Sequence, residues 1–238
     1  KRCIESLVKA GAFDWTGTVP FDELPRSRDP RSGRLINANN RLVGPDYPHL
    51  IAAHWPPPWR AERINRLLNQ AKTPIDAATL EGILLDVHSP KADLLVDRLL
   101  SYPAETQRQR AAHDLLSGWD RKMSADARAP LVFTAWIDAL NRALFADELG
   151  PHFQSFARPD PRLIRRALTE QPAWCDDVTS TKRVEDCASQ VTGALATALR
   201  TLNDRFGEAE GWRWGAAHRA RFPHPLLSRI PGLNGLFT

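Results

Sequence analysis

Apolar residues along this 238-residue chain follow two regimes, and the change comes near residue 58. Before it, apolar positions are scattered among turn formers. Phe13, Trp15, Val19 and Phe21 alternate around Gly17 and Pro20, which predicts a short extended piece with turns. Leu35 to Asn39 is the best strand candidate. Gly44-Pro45-Asp46-Tyr47-Pro48 reads as loop, because the residue before a proline is pushed out of the helical region. From Trp59 onward the period becomes helical, beginning with Trp59, Arg63/Ile64, Leu67 and Leu68. Thr73-Pro74, Ser89-Pro90 and Asp160-Pro161 each read as an N-cap followed by proline at the first helical position. The helices they open run through Leu80, Ile83, Leu84 and Val87, through Leu94, Leu95, Leu99 and Leu100, and through Leu163, Ile164 and Leu168. A short helix from Arg108 to Leu116 stops at Gly118. A long one follows Ser124, carries Leu131, Trp136, Leu140 and Leu144, and stops at Gly150. The last runs from about Thr181 to Phe206, with Val184, Cys187, Val191, Leu195, Leu199, Leu202 and Phe206 on one face, and Gly207 ends it.

This pattern predicts a mainly α fold of seven helices with short loops, with a short irregular or β segment at the N-terminal end and another near the C-terminus. The expected division is residues 1–57 as the irregular/β segment, 58–210 as the helical domain and 211–238 as a return segment. A content of 42% hydrophobic and 25% charged residues suits a globular chain that can bury a core. The absence of an apolar run of about eighteen residues argues against a membrane-spanning helix. A chain that opens on Lys1 is expected to have sequence ahead of it. The net charge of +4 does not indicate nucleic-acid binding, because arginines alternate with acids, as in Arg162, Arg165, Arg166 and Glu170, and form no basic block.

The stretch from Asp29 to Arg66 concentrates the candidate chemistry. A turn at Pro30 to Gly33 is followed by Asn37, Asn39 and Asn40, and three prolines after Trp55 lead into Trp59-Arg60. Asparagine is a poor strand former and a good turn former, so the plain reading is a turn. On an extended segment Asn37 and Asn39 would instead share a face, and an uncharged amide there can donate to a developing oxyanion. Arg60 alone reads as a solvent-facing helix arginine. His218 and His224, beside Trp214, read as packed histidines in preference to a metal pair or a base. Trp55, Trp59, Trp119 and Trp136 read as packing residues. Cys175 and Cys187 lie twelve apart: one disulfide in an exported protein, two free thiols in a cytosolic one. Cys3 is left over. No Cys-x-x-Cys or histidine cluster points to zinc.

Asp29-Pro30-Arg31-Ser32-Gly33, Ala38-Asn39-Asn40, Tyr47-Pro48, Trp55, Arg60 and Arg63-Ile64-Asn65-Arg66-Leu67-Leu68, in this order and spacing, resemble the penicillin acylase family of N-terminal-nucleophile hydrolases. Asp14-Trp15-Thr16-Gly17, Trp214-Gly215-Ala216-Ala217-His218 and Phe222-Pro223-His224-Pro225 extend the resemblance over essentially the whole chain, which corresponds to a central piece of the family's large chain.

The resemblance implies an amidohydrolase that cleaves linear amides, releasing an acyl group from an amine such as a β-lactam nucleus or a homoserine lactone. Its nucleophile would be a serine at the start of the large chain, outside these residues, with its own α-amine as the base. Asn39 matches the family's oxyanion-stabilising asparagine and Arg60 its orienting arginine. The family's compartment, periplasmic or secreted and bacterial, implies a Cys175–Cys187 disulfide. The implied partners are a small acylated amide, the rest of the large chain and the small chain. The chemistry needs no cofactor. The family can carry a calcium-binding acid in the loop from Arg41 to Leu50, but that position falls near His49, with Asp46 close by, so no metal ligand is assigned and a structural calcium ion is left to the complete enzyme. The alternative is a non-catalytic helical binding or interaction module.

Overall fold

A computed structural model describes residues 17–156, 158–180, 184–220, 222–224, 226–227 and 230. Cys3, Phe13, Trp15 and the Asp14-Trp15-Thr16 motif lie outside the described residues. The chain divides into two compact units, Lys1–Leu85 and Asp86–Thr238. The fold is mainly α. Among the described residues the β structure is limited to an isolated antiparallel bridge between His88 and Lys122.

Among its described residues the first unit holds a 3-10 turn, Phe21–Glu23, and two helices, α1 (Trp59–Gln70) and α2 (Ala77–Leu84). Pro58 precedes α1, where a proline that cannot donate costs nothing, because the first amides of a helix have no helical partner. The start of α2 differs from the Thr73-Pro74 expectation. Asp76 is the N-cap, accepting from the Thr79 amide at 2.8 Å, so the helix begins three residues later than that dipeptide suggests. Among the described residues of this unit, Ala38 is the hydrophobic residue that is buried, while Leu35, Leu50 and Leu84 are 68%, 80% and 83% exposed. Turns and side-chain hydrogen bonds therefore order this unit in place of an apolar core.

The second unit is organised around α5 (Ala129–Leu149) and α8 (Cys187–Phe206), which pack along one another. Around this pair stand α3 (Pro90–Leu100), α4 (Gln107–Ser117), the one-turn α6 (Phe153–Phe156), α7 (Pro161–Thr169) and the one-turn α9 (Trp214–Ala217). Ser89 and Asp160 cap α3 and α7 as the sequence suggests. The start of α8 moves from about Thr181 to Cys187, because Asp186 and Ser189 form a capping box there. Val184 consequently lies outside the helix and is exposed. Trp214 opens α9 within the segment near the C-terminus expected to be irregular or β.

Leu95, Leu99, Leu116, Trp136, Leu140, Leu144, Ile164, Val191 and Leu195 are fully buried in one core. Each such side chain contributes about 1.5–3 kcal/mol through its removal from water. Several polar groups admitted to this core find backbone partners, whereas Arg98 Nε and His113 Nε2 are buried without one among the described residues. Trp136 Nε1 donates to the Val191 carbonyl at 3.0 Å. Buried Gln109 accepts from the amides of Glu105 and Thr106 and donates to the Thr192 carbonyl, each at 2.9 Å. Arg98 Nη2 donates to the Leu168 carbonyl at the end of α7, at 2.7 Å. A disulfide joins Cys175 to Cys187 and closes a loop with a sequence separation of 12.

Candidate functional site

The asparagine-rich stretch forms a bend, not the strand expected over Leu35 to Asn39. Asn39 sits at φ +64°, in the left-handed region that asparagine tolerates better than most residues. Its amide donates to Asn37 Oδ1 at 3.0 Å, and the Ala38 amide donates to Asn40 Oδ1 at 3.1 Å. Side-chain acceptors thus take the two backbone donors a β ladder would use. The turn before it is closed by the Gly33 amide on the Pro30 carbonyl at 2.8 Å, with Gly33 at φ +66° where a side chain would be strained. Arg34 Nη2 donates to Asn69 Oδ1 near the end of α1.

Arg60, second residue of α1, reaches back to this bend. Its Nη2 donates to the Ala38 carbonyl at 2.9 Å and to Asn39 Oδ1 at 2.6 Å. The two residues singled out by their motif positions are thus in direct contact. Guanidinium is a donor only, so this contact fixes which way round the Asn39 amide lies: oxygen toward Arg60, NH₂ away from it. Among the described residues the Asn39 NH₂ has no acceptor, and the side chain is exposed. What the arrangement offers is a neutral N–H donor, held in one orientation by a permanent cation one bond behind it.

The loop from Arg41 to Leu50 is tied to the Phe21–Glu23 turn. Tyr47 Oη donates to the Glu23 carbonyl at 2.8 Å, and His49 Nε2 lies 2.5 Å from Glu23 Oε2. An imidazole nitrogen paired with one carboxylate does not fit calcium, which takes six to eight oxygen ligands. No cluster of three or more metal-ligating side chains exists among the described residues, and no step is derived through a metal. His218 and His224 have different surroundings in the fold. His218 stacks on Trp214 with centroids 4.8 Å apart, while His224 Nδ1 accepts from the amides of Leu226 and Leu227. Trp119 and Trp136 are core residues, whereas Trp55 and Trp59 are only half-buried.

Hydrogen bonds from Thr79 lower the pKa of Asp76 in the first unit, and the other displaced values belong to the helical unit. Burial raises Asp138 and lowers His113, which stacks on Trp136. Partial desolvation of its carboxyl, followed by a hydrogen bond with Asp147, pushes Glu148 up to about 7. Two cavities open in the same unit. One, of about 350 Å³, is lined by Arg108, Arg128, Leu199 and Trp212, and the other, of about 420 Å³, by Asp138, Arg142, Leu202 and His218.

The sequence profile of the penicillin amidase family matches residues 7–237. The chain belongs to the penicillin amidase family. This family member is 32% identical to the penicillin acylase 2 proenzyme of Pseudomonas sp. strain SE83, over 96% of the chain and 29% of that protein. It is 29% identical to the acyl-homoserine lactone acylase QuiP of Pseudomonas aeruginosa, over 87% of the chain and 27% of that protein. A third relative, QuiP of Pseudomonas syringae pv. syringae, is 27% identical over 93% of the chain and 30% of its own length. The chain therefore spans less than a third of these curated relatives. The plain reading of Asn37, Asn39 and Asn40 as turn formers agrees with the bend, in which Asn37 and Asn40 supply the side-chain acceptors.

Proposed function

We propose that the chain is part of an amidohydrolase that cleaves linear amides, with Asn39 as an oxyanion donor and Arg60 as the residue that orients it. In this reading a serine at the start of the large chain, outside these residues, attacks the amide carbonyl and passes its proton to its own α-amine. The carbonyl oxygen becomes negative and accepts a hydrogen bond from Asn39 Nδ2. Collapse of this intermediate expels the amine, which takes up the proton, and leaves an acyl ester on the serine. Water then hydrolyses the ester. Substrates of this class include acylated β-lactam nuclei and acyl-homoserine lactones, in keeping with relatives that are a penicillin acylase and an acyl-homoserine lactone acylase. The remaining large chain and a small chain would complete the enzyme, which would work in the periplasm or outside the cell. The chemistry itself calls for no cofactor.

The observation that carries the reading is the 2.6 Å hydrogen bond from Arg60 to Asn39 Oδ1. A donor works on a transition state when it is preorganised, so that no reorientation is required as charge develops. Arg60 is suited to that task because its planar fork holds direction and its charge is permanent at any physiological pH. The test is steady-state hydrolysis of penicillin G and of N-acyl-homoserine lactones by the full-length protein. Turnover of either, lost in Asn39→Ala, is expected. Absence of amide hydrolysis across both acyl classes overturns the reading.

A further inference from the structure

We propose that Asn37 and Asn40 are positioning residues for the same reaction: their side-chain oxygens hold the Ala38–Asn39 backbone in the left-handed bend that aims the Asn39 amide. The inference rests on the reading of Asn39 as an oxyanion donor.

Three polar groups of the backbone converge at this bend, and each is taken by a side chain. The Ala38 amide goes to Asn40 Oδ1 at 3.1 Å, the Asn39 amide to Asn37 Oδ1 at 3.0 Å and the Ala38 carbonyl to Arg60 at 2.9 Å. The Asn40 side chain is itself steadied, since its Nδ2 donates to the Arg41 carbonyl at 3.1 Å. Ala38 is the buried point of the segment, while Asn39 beside it is exposed at φ +64°. A non-glycine residue leaves that region unless its surroundings over-determine it. Here the over-determination comes from two acceptors on either side of the residue, and Arg60 then fixes the side chain on a backbone already fixed. Loss of either acceptor frees one amide and lets φ at Asn39 relax toward negative values, which swings Nδ2 away from the oxyanion. A displacement of about 1 Å at a catalytic group can cost about 10²-fold in rate.

The test uses the full-length, processed protein with an acyl substrate that it turns over. Asn37→Ala and Asn40→Ala should each lower kcat by about 10- to 100-fold with KM changed less than about 2-fold. Asn37→Ser should recover most of the loss, because its hydroxyl accepts the same bond from an amide two residues on. Hydrogen exchange reads the same contacts without catalysis: Asn37→Ala should speed exchange at the Asn39 amide, and Asn40→Ala at the Ala38 amide. If an alanine variant does not mature, Asn37→Asp and Asn40→Asp keep an acceptor and should mature and retain protection at those amides. Near-wild-type kcat in both alanine variants, with Asn39→Ala crippled, overturns the positioning role and leaves the oxyanion reading intact. Unchanged kcat in Asn39→Ala overturns the oxyanion reading, and the positioning role falls with it. Serine that fails to restore what alanine removes also overturns the role, since the acceptor is then not what matters.

Discussion

Arg60 donates to the side-chain oxygen of Asn39 across 21 residues of sequence, at 2.6 Å, and through the same nitrogen to the neighbouring Ala38 carbonyl. One guanidinium group therefore fixes both the backbone and the side chain of the residue proposed to meet the oxyanion. Arg60→Lys keeps the charge but replaces a planar fork by a freely rotating ammonium on a different stem. It should lower kcat at least about 10-fold, the equivalent of about 1.4 kcal/mol in the barrier, with little change in KM. Steady-state kinetics on the full-length protein checks this, and unchanged kcat and KM would make Arg60 an ordinary surface arginine.

The Cys175–Cys187 disulfide closes the loop that leads into α8, and Cys175 is fully buried. Constraining a loop of this length removes unfolded-state entropy worth roughly 3 kcal/mol in the chain-entropy model. Cys175→Ser/Cys187→Ser should lower the melting temperature of the protein by several degrees without changing KM. A melting curve that overlays wild type, under conditions where mass spectrometry confirms the wild-type bond, would remove the disulfide from the stability account.

Much of the helical unit is legible in the sequence because its signals are local. Ser89 and Asp160 cap their helices, and Val191, Leu195, Leu199 and Leu202 form a buried stripe as their spacing predicts. Errors arise where two capping residues compete. Thr73 and Asp76 can each start α2, and the structure uses the stronger acceptor, three residues later. The bend at Asn39 is a different case. The alternation of Leu35, Asn37 and Asn39 suggests a strand, but the choice between ladder and turn depends on whether backbone or side-chain acceptors reach the amides first. That Asn39 and Arg60 touch follows from how a turn and a helix start meet in space, which neither segment states alone.

Glu148, an exposed residue near the end of α5, has its pKa raised to about 7 from the usual 4.5, first by partial desolvation of its carboxyl and then by the hydrogen bond with Asp147. A raised carboxyl favours the folded state when protonated. Its contribution is complete below pH 4.5 and is lost as pH rises through 7. Glu148→Gln keeps the protonated form's hydrogen bonding at every pH. It should flatten the stability profile between these limits and stabilise the protein at pH 8, by at most about 1 kcal/mol once solvent screening is allowed for. Thermal unfolding of both proteins at pH 4.5, 6 and 8 checks the sign; a variant less stable than wild type at pH 8 contradicts it.

Three substitutions at Asn39 separate the backbone, the acceptor and the donor. Asn39→Gly accepts φ +64° without strain and so keeps the bend, but carries no amide. Asn39→Asp keeps an oxygen for Arg60, now in a charge-assisted bond, but has no N–H to offer and places a negative charge beside the oxyanion. Asn39→Ala loses the amide and disfavours the left-handed backbone as well. If the donor is what matters, all three should lose about 10²–10³ in kcat, or about 2.7–4 kcal/mol, with far smaller changes in KM. They should differ in stability, with Asn39→Asp and Asn39→Gly near wild type and Asn39→Ala less stable, because only alanine resists the conformation. Kinetics and melting curves on the full-length protein, with correct processing confirmed by mass, distinguish the cases. Full activity in Asn39→Gly would mean that the bend, not the amide, serves the reaction. Full activity in Asn39→Asp would mean that Arg60 needs only an oxygen there. Both outcomes remove Asn39 Nδ2 from the transition state, and only loss in both, with the fold intact, keeps it there.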